Sequence, residues 1–106
     1  MVKRFDIWMV SLNPVVGSEI KKTRPCVIVS PNEANQYLNT VTIVPLTSSL
    51  KAYPTRVALL FQNKQGEMAI DQIRSIDKSR LVGRLGHLDQ KTARKLCDLL
   101  VQTFRY

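Results

Sequence analysis

Apolar and polar positions alternate along most of the chain, and the rhythm turns helical only near the end. Between Arg4 and Leu12, Phe5, Ile7 and Met9 fall on one side while Trp8, Val10 and Leu12 fall on the other. That is the two-residue period of a strand. Both sides are apolar, which predicts a strand covered on both faces over much of its length. Asn13-Pro14 breaks it. Val15 to Thr23 reads as a loop. Arg24 is held extended because the residue before a proline is pushed out of the helical region, and Cys26 to Val29 follows as a short apolar strand. Ser30-Pro31 opens a turn into one or two helical turns over Asn32 to Leu38, with Pro31 near their start. Thr40 to Leu46 is a β-branched strand whose Pro45 predicts an edge or bulge.

Beyond the polar Thr47-Ser48-Ser49 and a second break at Tyr53-Pro54, Arg56 to Phe61 predicts another strand. Gln62 to Gly66 predicts a turn. Glu67 to Ile70 predicts a strand that Asp71 to Arg74 continues, with Asp71, Ile73 and Ser75 on one face. Ile76 to Arg80 resembles a single helical turn, and Leu81 to Leu85 a last strand ended by Gly86. From Asp89 onward, Ala93, Leu96, Cys97, Leu100 and Phe104 recur at helical spacing. Asp89 is placed as the N-cap, where its charge suits a helix start. Lys91, Arg94 and Lys95 form the wet face. Five to seven short strands and a terminal amphipathic helix predict a mainly β, α+β domain over residues 1–106. The expected architecture is a small, mostly antiparallel barrel-like sheet with helices packed outside.

Composition narrows the function. The longest apolar run, Val57 to Phe61, is five residues, against the ~20 of a membrane-spanning helix. Val2 to Leu12 alternates where a secretory signal would be an apolar block. The expectation is a cytoplasmic protein with no membrane partner. Sixteen Lys and Arg against eight Asp and Glu give a net charge of +8. The excess is spread over both halves, not gathered in a tail. A compact domain so charged attracts polyanions, of which nucleic acid is the commonest in a cell, although a merely solubilising surface gives the same count. Cys26, Cys97 and His87 are far apart in sequence, so no metal-ligand spacing is present, and neither a metal nor a cofactor is expected. Both cysteines read as small buried hydrophobes, and His87 as structural, capping-related or incidental.

Three stretches can carry chemistry. Gly17-Ser18-Glu19-Ile20-Lys21-Lys22-Thr23-Arg24-Pro25 is a cationic loop running into a rigid strand. Arg24, fixed at the junction, can clasp a phosphate through two parallel hydrogen bonds, while Lys21 and Lys22 are ordinary in a solvated loop. Hydroxyls in Pro45-Leu46-Thr47-Ser48-Ser49, just past a strand end, can hydrogen-bond phosphate or ribose, or simply shape a turn. Asp71-Gln72-Ile73-Arg74-Ser75-Ile76-Asp77 carries charges that fit either a site or a salt-bridged edge.

Taken in order, these stretches resemble one family. Asp6-Ile7-Trp8, Leu12-Asn13-Pro14, Gly17-Ser18-Glu19, Thr23-Arg24-Pro25, Ser30-Pro31, Val44-Pro45-Leu46-Thr47-Ser48, Tyr53-Pro54, Asp71 to Asp77 and Leu85-Gly86 stand as they do in the MazF/PemK toxins of bacterial toxin–antitoxin modules. The resemblance covers nearly the whole chain. It implies an SH3-like, plasmid-toxin-like antiparallel barrel with a C-terminal helix, and a homodimer. It implies a metal-independent endoribonuclease that cuts single-stranded RNA, mRNA above all, and a cognate antitoxin with an acidic, disordered tail.

By position, Arg24 matches the family's catalytic arginine and Thr47 the threonine that works beside it. Glu19 matches an acidic loop residue implicated in activity in some members, and Asp71 an aspartate treated as catalytic in a plasmid-borne branch. That branch has an arginine where this chain has Ala69, and a histidine where it has Ser18. Arg24 with Thr47 is therefore the pair the resemblance supports best. Ser18, Lys21, Lys22, Ser48, Gln72 and Arg74 are the expected RNA contacts. The expected chemistry is attack by the RNA's own 2′-hydroxyl on the adjacent phosphorus, leaving a 2′,3′-cyclic phosphate and a 5′-hydroxyl. Arg24 would neutralise charge on the phosphoryl oxygens, and Glu19 or Asp71 would accept the proton. Two other readings suit the same sequence: a non-catalytic toxin that poisons gyrase, and a plain basic nucleic-acid-binding barrel.

Overall fold

The strands follow the alternation closely. The computed structural model describes residues 1–106. Its strands are β1 (Asp6–Ser11), β2 (Thr23–Ile28), β3 (Thr40–Thr47), β4 (Arg56–Phe61), β5 (Lys64–Ala69), β6 (Arg74–Asp77) and β7 (Leu81–His87), and its helices are α1 (Asn32–Tyr37) and α2 (Gln90–Phe104). All pairings are antiparallel, in the spatial order β4-β5-β3-β2-β1-β7, with β6 on β3 beside β5. The path ends at β4 and β7, so the barrel-like sheet is not closed by a ladder.

The apolar character of both faces has a direct structural cause. Ile7, Val27 and Val44 join one buried cluster, while Val10, Cys26 and Ile43 join a second. Successive strand residues point to opposite faces, so the central strands are buried on both. Helix α2 seals the first cluster through Ala93 and Leu96, with Leu88 just before it. It starts where Asp89 accepts a hydrogen bond from Thr92 N at 2.7 Å, as its capping sequence requires. The second cluster is covered by Trp8, Leu81 and two residues of the loop after β1, Val15 and Ile20.

Several boundaries differ from the sequence expectation. The β4–β5 turn is only Gln62-Asn63, with φ of 51° and 62°, the positive values of a tight two-residue hairpin. Lys64 to Gly66 are already in β5. Asp71 to Arg74 do not prolong β5, because a 3-10 turn at Ile70–Gln72 ends it and Arg74 starts β6. Asp71, Ile73 and Ser75 thus do not share a strand face. Pro45 sits where β3 changes neighbours. It pairs with Cys26 on β2, but on the other side the β6 pairing stops at Ile43 and the β5 pairing begins at Leu46. A residue without an N–H is tolerated at such a gap. Of Ile76 to Arg80 only Lys78–Arg80 turns helically. In α2, Cys97 is half-buried and Phe104 is exposed, so the packed face is shorter than the periodicity predicts.

Candidate active site

The β2–β3 ladder brings the two principal candidates together. Cys26 pairs with Pro45. Carrying that register two residues further places Arg24 across from Thr47. The Arg24 Nε donates to Lys21 O at 2.9 Å. This bond aims the guanidinium and leaves both terminal amino groups without a protein acceptor. The Thr47 Oγ1 accepts from Ser49 N at 3.1 Å, so its own hydroxyl hydrogen is left to donate. Behind it, a Cβ on Gly66 would lie 3.1 Å from Thr47 O, so the close approach of β5 to this end of β3 depends on glycine. Arg24, Thr47 and Ser48 line an open hollow of about 230 Å³ together with Phe61, Lys64 and Gln65.

The other candidates gather in a neighbouring hollow of about 210 Å³, lined by Glu19, Ile20, Pro45, Asp71, Gln72 and Arg74. Here Gln72 Oε1 accepts from Ile20 N at 3.2 Å, and Arg74 Nη1 donates to Leu12 O at 3.3 Å. Both side chains therefore fasten the loop between β1 and β2. The Glu19 Oε1 accepts from Val16 N at 2.6 Å. Ser18, Lys21 and Lys22 are exposed on the same loop, and Ser48 is exposed at the rim of the first hollow. No carboxylate or imidazole lines the Arg24–Thr47 hollow.

Asp71 is already engaged. Arg56 Nε and Nη2 donate to its two oxygens at 2.8 and 3.2 Å, and Thr55 Oγ1 donates at 2.9 Å. The Arg56 hydrogen bonds hold its carboxyl below the usual range. Arg56 also pairs with Glu67 at 3.0 Å. Glu67 accepts the backbone N–H groups of Lys51 and Ala52 at 3.1 and 3.0 Å, and with Arg56 these lower its pKa.

Sequence reading passed over Arg56 and Glu67. The available signal was a charged residue inside each of two strands that pair with one another. It named Asp6 only within a motif and gave it no partner, yet Asp6 is 1% exposed and lies 3.0 Å from His87 Nδ1 and 3.3 Å from Arg84 Nε. Burial alone would raise the Asp6 pKa, but bonds from His87, Lys3, Trp8 and Arg84 outweigh it and lower the value. His87 thus pairs with a buried carboxylate. No group of three or more His, Cys, Asp or Glu side chains is arranged to hold a metal ion.

The model of the PemK-like, MazF-like toxins of type II toxin–antitoxin systems matches residues 3–104. The chain belongs to this family. Among relatives of the toxin, endoribonuclease EndoA of Bacillus subtilis (strain 168) is 30% identical over 106 residues, covering 94% of this chain and 91% of its own. Endoribonuclease MazF9 of Mycobacterium tuberculosis is 35% identical over 111 residues, covering 94% and 93%. In three dimensions the toxin superposes with a TM-score of 0.83 on an endoribonuclease from a Mycobacterial species solved in complex with its cognate antitoxin. The two are 24% identical, over 100% of this chain and 99% of that one, a likeness of fold.

Proposed function

We propose that this toxin is an endoribonuclease that cuts single-stranded RNA, chiefly mRNA, at the Arg24–Thr47 hollow. One observation carries the reading: a guanidinium with two uncommitted amino groups and a hydroxyl with an uncommitted hydrogen share one anion-sized hollow. Such donors stabilise the charge that grows on a phosphoryl oxygen when the RNA's 2′-hydroxyl attacks the adjacent phosphorus. The new P–O bond forms as the bond to the 5′-oxygen breaks. The products are a 2′,3′-cyclic phosphate and a 5′-hydroxyl end. The nucleophile belongs to the substrate, so the protein's task is in-line positioning and charge neutralisation without a metal. Glu19, on the loop that also orients Arg24, accepts the 2′-hydroxyl proton from the neighbouring hollow, and the departing 5′-oxygen takes a proton from solvent. Exposed Ser18, Lys21, Lys22 and Ser48 contact the flanking phosphates and riboses, while Gln72 and Arg74 keep the loop in place.

The same reading includes a homodimer, a cytoplasmic setting and a cognate antitoxin whose acidic tail is drawn to a +8 surface. Cleavage of a long RNA in EDTA, with chemical mapping of both new ends, tests the reaction. A 2′-deoxy residue at the cut position is expected to block cleavage while binding persists. Cleavage of that substrate would overturn internal attack. RNA left intact by protein that traps gyrase on DNA would select the gyrase-poison alternative, and salt-sensitive binding without turnover the plain binding barrel.

A further inference from the structure

Arg56 occupies an unusual position for a cation. Its side chain is 8% exposed and that of Glu67 is 7%. The guanidinium joins three separate segments. It holds both oxygens of Asp71 on the 3-10 turn, Glu67 on β5, and Ser49 O at 3.4 Å in the loop after β3. Its planar head also stacks 5.1 Å from the Tyr53 ring centroid in that loop. Glu67, in turn, gathers the Lys51 and Ala52 amides, and Ala52 is held at φ 52°, a conformation that costs energy unless it is tied down. Glu67 stands directly opposite Thr47 in the β3–β5 register.

We propose that Arg56, with Glu67 and Asp71, is a positioning brace for Thr47, and that Asp71 serves in this brace and does not take the substrate's proton. The path is short. Arg56 and Glu67 set the course of residues 49–52, Ser49 N is thereby presented to Thr47 Oγ1, and that bond fixes the hydroxyl toward the hollow. Both Asp71 oxygens are committed to Arg56, and one also to Thr55. Asp71 lines the hollow next to that of Arg24 and Thr47. The inference rests on the reading of Thr47 as a donor to the scissile phosphate.

The test compares wild type, Arg56→Lys, Glu67→Gln, Asp71→Asn and the Arg56→Lys/Asp71→Asn double variant. Single-turnover RNA cleavage, KM, pH–rate profiles and amide hydrogen exchange are measured for each. Lysine keeps the charge but cannot span three acceptors, and glutamine keeps the shape of Glu67 while losing a charged acceptor. Both are expected to lower the cleavage rate about ten- to a hundredfold, the effect of a displaced catalytic group. KM is expected to change little, and the Lys51 and Ala52 amides to lose protection. Asp71→Asn is expected to keep the acidic limb of the pH–rate profile, and to add no further loss to Arg56→Lys. Disappearance of that limb in Asp71→Asn would make Asp71 the proton acceptor and overturn the proposal. So would unchanged amide protection in both Arg56→Lys and Glu67→Gln, or opened amides with a wild-type rate. Wild-type protein that cleaves no RNA would instead overturn the function beneath it, an outcome the exchange data keep separate.

Discussion

Arg56 lies directly opposite Ala69 across the β4–β5 hairpin. Its guanidinium reaches Asp71, two residues beyond Ala69, from β4. Residues directly opposite on a ladder share a face and have neighbouring Cβ atoms, so the cation can in principle be moved from one strand to the other.

Moving it is a direct check. Arg56→Ala should destabilise the protein by leaving Glu67 and Asp71 without their shared cation. Ala69→Arg alone should also destabilise it, because Ala69 is fully buried beside an arginine already present. The double variant is expected to melt above the value the two single changes predict additively. Thermal unfolding of the four proteins measures the coupling.

Arg24→Ala is expected to lower kcat for RNA cleavage about 10²–10³-fold, the usual effect of removing an electrostatic donor from a reaction's charged state. Thr47→Val keeps the shape but loses the hydroxyl, and should lower kcat and, by leaving Ser49 N without its acceptor, lower the melting temperature modestly. Thr47→Ser should retain most activity. Near-normal turnover in Arg24→Ala, measured on a labelled oligonucleotide, would remove Arg24 from the site.

How much of this was legible in sequence depends on how local each signal is. The two-faced apolar pattern of β1, the Asp89 cap and the loop–strand junction at Arg24 are written in adjacent residues, and the structure shows all three. The division of Glu19 and Asp71 from Arg24 is not local. It arises from the change of partners along β3 at Pro45, a property of three strands at once. The roles of Arg56, Glu67 and the Asp6–His87 pair were hidden for the same reason. Their partners are 11 to 81 positions away, and a charged residue in a short strand gives no sign of which carboxylate or imidazole will face it.

Acid should weaken the fold through the brace. The carboxyls of Asp71 and Glu67 are both held below their usual values, Asp71 chiefly by Arg56 and Glu67 chiefly by the Lys51 amide. A carboxyl whose pKa is depressed in the folded state stabilises fully above its unfolded pKa of about 4, and loses that contribution as pH falls through the lower folded value. Stability to urea should therefore hold level from neutral pH to about 5 and decline below about 4. Asp71→Asn should flatten the decline.

The two thiols should differ in reactivity. Burial pushes the Cys26 thiol up to about 12, so almost none is thiolate at neutral pH, and the side chain is fully enclosed. Cys97 is half-buried on α2. Iodoacetamide on the native protein should label Cys97 and spare Cys26 until the fold is opened with denaturant, as read by peptide mass mapping.

Leu96 is the anchor of α2 and has no exposed surface. Leu96→Ala should cost about 2–5 kcal/mol, the sum of lost transfer energy and the void left behind. Chemical denaturation measures it, and a cost well under 1 kcal/mol would mean that the helix does not hold the first cluster together.

The loop after β1 is pinned at its shoulders by Val15 and Ile20 and carries Val16 to Glu19 outside them in solvent. Its crown is thus mechanically separate from its footing. Substitutions confined to Val16, Gly17 and Ser18 are expected to leave the scaffold beneath folding as before.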